Sequence, residues 1–175
     1  MQIGQKTPDF RGLVDVSGKK YGLSDFAGKK IVVVIFSCNH CPTVVAYEDR
    51  MVQIQRDYAG KGVGLVAINP NDDKKYPEDS YQEMVKRAKA KGFNFPYLRD
   101  ESQEVARSYG AQRTPEVYVL DSERRLRYHG RIDDNVNDAR SVKSHDLKKV
   151  LDALLAGKEV PVAETAAVGC TIKWK

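Results

Sequence analysis

Apolar and polar positions change rhythm several times along the chain, and each change marks an element. Ile31 to Ile35 (I-V-V-V-I) is an unbroken β-branched run, the pattern of a strand buried on both faces inside a parallel or mixed sheet. It ends at Phe36 and Ser37. After Pro42 the spacing turns helical, through Val44 or Val45, Tyr47 or Glu48, Met51, Ile54 and Tyr58. Gly60-Lys61-Gly62 breaks that pattern, and Val63 to Asn69 supplies a second largely apolar strand. Strand, helix and strand in this order predict a right-handed parallel crossover. Upstream, Arg11 to Asp15 and Lys20 to Leu23 flank a Ser17-Gly18-Lys19 turn and predict an N-terminal β-hairpin. Ser24-Asp25-Phe26 predicts a short capped helical turn before Gly28 resets the chain.

Downstream, the polar stretch Pro70 to Pro77 leads to a helix from about Glu78 to Ala90, with Tyr81, Met84, Val85 and Ala88 on one stripe and Gly92 as its end. Phe93 to Leu98 is too short and aromatic to assign. Glu101 to Tyr109 predicts another helix. Val117 to Leu120 and Leu126 to Gly130 predict two strands joined through Asp121 to Arg124. Ile132 to Ser141, rich in Asp and Asn, reads as a loop before a last helix from about Val142 to Ala156. The result is an α/β chain with a mixed central sheet flanked by helices and an N-terminal hairpin extension. Residues 1–157 form one domain and residues 158–175 a tail packed on it. The third cysteine and the only tryptophan, Cys170 and Trp174, lie within that tail, so it is expected to dock on the body and pair with a sheet edge.

Composition narrows the function classes more than it defines one. The 175 residues, 41% hydrophobic and 30% charged, suit an ordinary globular domain. The formal charge of +5 comes from scattered Lys and Arg rather than a block, which argues against nucleic acid or a membrane surface as partner. The N-terminus lacks a basic segment followed by an apolar run, so a cytoplasmic location is expected. Three cysteines do not make a disulfide framework.

Cys38 and Cys41 carry the candidate chemistry, because they sit where the buried strand hands over to the helix. Free N–H groups and the positive dipole end of a helix stabilise a thiolate, the reactive form of cysteine. A C-x-x-C pair there can also close on itself, which is the sequence form of a dithiol redox centre. His40, as imidazolium, would add to the stabilisation of the Cys38 thiolate; a solvent-exposed loop residue without an electronic role is the plainer alternative. Zinc would need two further ligands, and His129 and His145 stand alone. A c-type haem needs His after the second cysteine, where Pro42 stands. No cofactor and no metal are expected. Asp133, Asp134, Asn135 and Asp138 resemble a calcium loop only in composition and read as a solvated loop.

These pieces together resemble the thioredoxin fold, in its three-layer form, and more narrowly the redoxins related to peroxiredoxins. The resemblance runs from Gly4 to about Ala156, through Thr7-Pro-Asp-Phe, Leu23-Ser-Asp-Phe-Ala-Gly-Lys, Phe36-Ser-Cys-Asn-His-Cys-Pro and Arg113-Thr-Pro-Glu-Val-Tyr-Val-Leu-Asp121. It is similar above all to a peroxiredoxin-like subgroup with a thioredoxin-type C-x-x-C, to which Asp133-Asp-Asn and Gly169-Cys-Thr-Ile-Lys-Trp also correspond. The family places a cis proline opposite the C-x-x-C, and Thr114-Pro115 matches it. The exposed backbone of Thr114 would then pair with an extended substrate segment. True peroxiredoxins carry P-x-x-x-T-x-x-C-x-x-E, whose cysteine matches Cys41; here Cys38 stands at the Thr position, Val44 at the Glu position, and Pro115 where the family has an arginine.

The resemblance therefore implies a thiol-disulfide oxidoreductase rather than a thiol peroxidase. Cys38, nearer the exposed loop and with a lowered thiol pKa, is expected to attack a partner disulfide, and Cys41 to resolve the mixed disulfide. Such a centre would be more oxidising than ordinary thioredoxin. The partner is a disulfide-containing protein or a small thiol, with a thioredoxin- or glutathione-type electron donor. The alternatives are a peroxidase with Cys41 attacking and Cys38 resolving, and a non-catalytic binding module. Cys170 is either a third redox thiol reaching Cys41 or Cys38 or, the expectation favoured here, a packed or idle tail thiol.

Overall fold

The computed structural model describes residues 1–175. Ile31–Phe36 forms β3 and is buried along its whole length. Before it lie β1, Leu13–Asp15, and β2, Lys20–Tyr21, which pair antiparallel as the N-terminal hairpin. Pro42–Tyr58 is α1 and Val63–Asn69 is β4, and β3 and β4 pair in parallel from Ile31↔Val63 to Phe36↔Ile68. Then follow α2, Tyr81–Lys91, β5, Tyr97–Arg99, and α3, Glu104–Tyr109. Next come β6, Arg113–Thr114, β7, Glu116–Leu120, and β8, Leu126–Gly130. Helix α4, Asp146–Leu155, and β9, Cys170–Thr171, close the chain.

Seven strands make one mixed sheet in the order β2-β1-β5-β4-β3-β7-β8, and β6 and β9 make a separate two-stranded ladder. Alternation along β3 sends Ile31, Val33 and Ile35 to one face, with Tyr47, Met51 and Ile54 of α1, Met84 of α2 and Leu147 and Leu151 of α4. Val32, Val34 and Phe36 go to the other face, with Tyr109 of α3, Tyr118 and, from the tail, Ile172. Each fully buried aliphatic side chain stabilises the fold by about 1.5–3 kcal/mol, so β3, filled on both faces, gives Cys38 and Cys41 a firmly packed base.

Three helix starts differ from expectation, α3 by beginning at Glu104 rather than Glu101. Pro77–Asp79 is a 3₁₀ turn, and α2 begins only after Ser80, whose hydroxyl accepts the Glu83 N–H as its N-cap. Likewise Val142 to His145 lies outside α4, which begins at Asp146. The Asp-rich loop is not wholly solvated. Asp133 is buried, accepting from the Tyr47 hydroxyl at 2.7 Å and from the Arg50 guanidinium at 2.9 Å. These bonds clamp the loop onto α1 and use up the carboxylate.

The tail docks in two places. Thr165 lies against β8, its N–H donating to the His129 carbonyl and its hydroxyl meeting the Tyr128 hydroxyl at 2.6 Å. Beyond it, β9 pairs antiparallel with β6, and the Lys173 carbonyl accepts from the Asp72 N–H and from Gln103 Nε2. No helix is long and apolar enough to cross a membrane.

Candidate active site

Cys41 is the N-cap of α1, with Pro42 at the first helical position, and Cys38 lies one turn of loop before it. That loop is tied down on every side. The Ser37 N–H donates to the Ile68 carbonyl at 2.8 Å, the Asn39 N–H to Asp79 Oδ1 at 2.8 Å, and the Tyr97 hydroxyl to Asn39 Oδ1 at 2.7 Å. Asp79 is fully buried and also accepts from Asn71 Nδ2 at 2.9 Å. Burial pushes the Tyr97 phenol well above its usual range, which keeps its proton available to Asn39.

The opposite wall is the turn between β6 and β7, where the Thr114–Pro115 peptide bond is cis. Glu116 holds this wall in shape. Its carboxylate accepts the N–H groups of Gln112 and Arg113, the Tyr118 hydroxyl at 2.7 Å and His129 Nε2 at 2.7 Å. Burial raises its pKa, but these four donors outweigh burial and hold it below its ordinary 4.5. Thr114 reaches both cysteines: its hydroxyl lies 3.5 Å from Cys38 Sγ and its carbonyl oxygen 3.5 Å from Cys41 Sγ.

Cys41 is bonded to Cys170, 129 residues later, and Cys38 is the free thiol. The expected idle role of the tail thiol is thereby overturned. Cys170 is brought in by β9, where it stands opposite Thr114. Gly169, the residue before it, passes so close beneath the Thr114 carbonyl that any Cβ there would overlap the backbone of Thr114 and Pro115. Sequence gave one hint of this, a cysteine and the only tryptophan inside the last six residues. The backbone edge of Thr114, expected to be open to a substrate, is covered by the chain's own tail, and Thr114 is fully buried.

Cys38 also departs from expectation. It is 1% exposed rather than nearer the surface, and its thiol is pushed up to about 11 instead of down. Burial is the main cause and the Asp79 carboxylate the second; the Thr114 hydroxyl and backbone N–H groups oppose them only in part. A centre more oxidising than thioredoxin needs a stabilised Cys38 thiolate, and the raised thiol removes that ground. His40 faces Asp79 as well as Cys38: Nδ1 stands 2.6 Å from Asp79 Oδ2, off the direction of a good hydrogen bond, and its ring stacks on Tyr76. Cys38, His40 and Asp79 bring three donor atoms within 4.8 Å of one another. A structural zinc site takes four, and Asp79 is already committed to Asn39 and Asn71.

The structure thus brings Cys38, Cys41, His40, Thr114 and Pro115 around one point and adds Cys170, Asp79 and Glu116. The redoxin family model matches residues 2–151. The chain belongs to the redoxin family. A crystal structure of a hypothetical protein from Sinorhizobium meliloti 1021 is 39% identical to this redoxin and superposes with a TM-score of 0.94, covering 100% of this chain and 96% of that one. Thiol-disulfide oxidoreductase ResA of Bacillus thuringiensis is 27% identical over 125 residues, 70% of this redoxin and 66% of ResA. Thioredoxin peroxidase of Fasciola hepatica is 30% identical over 139 residues, 74% of this redoxin and 63% of that protein. The redoxin therefore spans a little under two thirds of the length of these two relatives.

Proposed function

We propose that this redoxin is a thiol-disulfide oxidoreductase that exchanges disulfides with a protein or small-thiol partner through the cysteines at the head of α1. The observation that carries the reading is the bond from Cys41, at the helix N-cap, to Cys170 beside a cis Thr114–Pro115 turn. Cys170 is the half-buried residue of the three, whereas Cys38 and Cys41 are each 1% exposed. A donor thiolate therefore meets Cys170 Sγ first. It forms a mixed disulfide there and releases Cys41 as a thiolate, which the unpaired N–H groups and dipole of α1 stabilise. A thioredoxin- or glutathione-type thiol fits the donor role, and in a reducing compartment such as the cytoplasm the Cys41–Cys170 bond would turn over rather than persist.

One observation favours a second reading, a thiol peroxidase. A Cys41 sulfenic acid condensing with the Cys170 thiol, with loss of water, would end in the same disulfide. Against it, the residue three positions after Cys41 is the fully buried, apolar Val44, and Pro115 stands where an arginine would polarise peroxide.

Stopped-flow oxidation of the reduced protein by a disulfide-bonded peptide and by hydrogen peroxide separates the two. Disulfide exchange is expected to run far faster than with a free thiol, peroxide oxidation no faster than with one, and Cys41→Ser to abolish exchange. Fast peroxide oxidation that survives in Cys38→Ser but not in Cys41→Ser would hand the assignment to the peroxidase.

A further inference from the structure

A free thiol sealed from solvent has few possible reaction partners, and for Cys38 the structure offers one. Cys38, Cys41 and Val44 form a small buried apolar cluster against which Cys170 packs. Thr114 ties the three sulfurs together: its hydroxyl contacts Cys38, its carbonyl oxygen contacts Cys41, and its backbone pairs with that of Cys170. Cys38 cannot meet an outside disulfide while the tail is docked, yet it stands beside the Cys41–Cys170 disulfide.

Resting on the oxidoreductase reading, we propose that the three cysteines form an internal relay in which Cys38 expels the tail. The Cys38 thiolate attacks Cys41 Sγ. A Cys38–Cys41 bond forms, the Cys41–Cys170 bond breaks, and its electron pair leaves on Cys170. One proton is lost from Cys38 and one is gained by Cys170, so the protein keeps one disulfide and two electrons' worth of oxidation throughout. The two forms differ in what the tail does. In the first, Cys170 is bonded and β9 covers the edge of β6. In the second, β9 keeps its short ladder and the contacts of Gly169, Ile172, Lys173, Trp174 and Lys175 but loses its covalent tie, and the Thr114 edge can open to an extended partner segment. The tail is thus a tethered occupant of the partner's strand position, with its own sulfur in the place of the partner's. The raised pKa of Cys38 leaves it mostly protonated near neutrality, which slows the attack and makes the tail-bound form long-lived.

Gly169 offers control over the same step without touching a sulfur. A methyl group there would collide with the backbone of Thr114 and Pro115, so Gly169→Ala must push β9 off β6 and favour the released form. Trp174, the only tryptophan, lies 4.8 Å over the Arg107 guanidinium and reports on the tail by fluorescence.

The test begins with protein carrying one disulfide and one free thiol, incubated with iodoacetamide and mapped by mass spectrometry without reduction, while Trp174 emission is followed. The relay predicts that label accumulates on Cys170, that the remaining disulfide is Cys38–Cys41, and that the emission changes in step. Cys38→Ser should lower Cys170 labelling at least tenfold. Gly169→Ala should raise it several-fold, and the double variant should again stay unlabelled. Label on Cys38 with Cys41–Cys170 intact, or Cys170 labelling undiminished in Cys38→Ser, overturns the relay. Wild-type protein is assayed in parallel against the disulfide-bonded peptide. Failure to exchange there overturns the function proposed above, whereas exchange that proceeds with label only on Cys38 overturns the relay alone.

Discussion

The two sulfurs of the Cys41–Cys170 bond are held in different ways. Cys41 belongs to the fold: it caps a 17-residue helix and follows a strand that is buried on both faces, in a loop pinned by Asp79, Tyr97 and the Ile68 carbonyl. Cys170 is placed by a two-residue strand, a glycine that fits under Thr114, and a handful of contacts further along the tail. One side is built into the core, and the other is held by the bond together with a short ladder and the hydrogen bonds of the tail. Motion is therefore expected on the Cys170 side and stability on the Cys41 side. Substitutions on the Cys41 side should cost stability, and those on the Cys170 side should change tail docking while the core stays intact.

The largest effect is expected at Asp79. Asp79→Ala removes the acceptor of the Asn39 N–H and of Asn71 Nδ2 and leaves both donors buried, which predicts a loss of about 2–4 kcal/mol in urea unfolding. The same change takes away the second cause of the raised Cys38 thiol. Its pKa should fall from about 11, while burial, the larger cause, keeps it above the free-thiol value. Thiolate absorbance followed against pH in the disulfide-bonded form reads this directly. A variant as stable as wild type, with an unmoved Cys38 titration, would mean that Asp79 neither pins the loop nor acts on the thiol.

Asp79 also marks where sequence reading ran out. The β-branched run of β3, the apolar β4 and the helical spacing after Pro42 announced the scaffold, because burial on two faces and 3.6-residue periodicity leave direct traces in residue type. Thr114-Pro115 and the cysteine pair were legible through motif and order. Asp79 and Glu116 were not. They stand 38 and 75 residues from Cys41 in stretches whose polar character reads as surface, and a polar residue buried by its hydrogen bonds has the same letter as one in water. Strand β5, only Tyr97–Arg99 with Arg99 buried, lacks any alternation to recognise. The start of α2 was readable after all, since Ser80 and Glu83 have the spacing of a capping box. The Cys41–Cys170 pairing depends on a register, Thr114↔Cys170, that no local pattern encodes.

Glu116 tests the other wall of the site, and here pH sharpens the contrast. Glu116→Gln keeps the size of the side chain but loses the charge that draws four donors together, for a loss of about 1–2 kcal/mol near pH 7. Because the folded pKa lies below the ordinary 4.5, the contribution of the carboxylate is complete above that value and is lost as pH falls through the folded one. The stability gap between wild type and variant should therefore be full near neutrality and should close in acid. A gap that stays constant from neutral to strongly acid pH would show that the charge contributes nothing to holding the β6–β7 turn.

The smallest effect is expected where the tail ends. Arg107 covers the Trp174 ring at 4.8 Å, and Trp174 is 36% exposed, the setting in which a cation–π contact contributes about 0.5–1 kcal/mol. Arg107→Ala should leave the urea midpoint of the core nearly unchanged, because α3 buries Val105, Ala106 and Tyr109 and not Arg107. It should nonetheless shift Trp174 emission and raise cleavage by protease in the tail, and more so after reduction, when the Cys41–Cys170 bond no longer holds β9 in place. If the tail becomes no more cleavable on reduction, in wild type or variant, then Cys170 is held by the fold as firmly as Cys41 is. The division of the site into a fixed sulfur and a movable one would then fail.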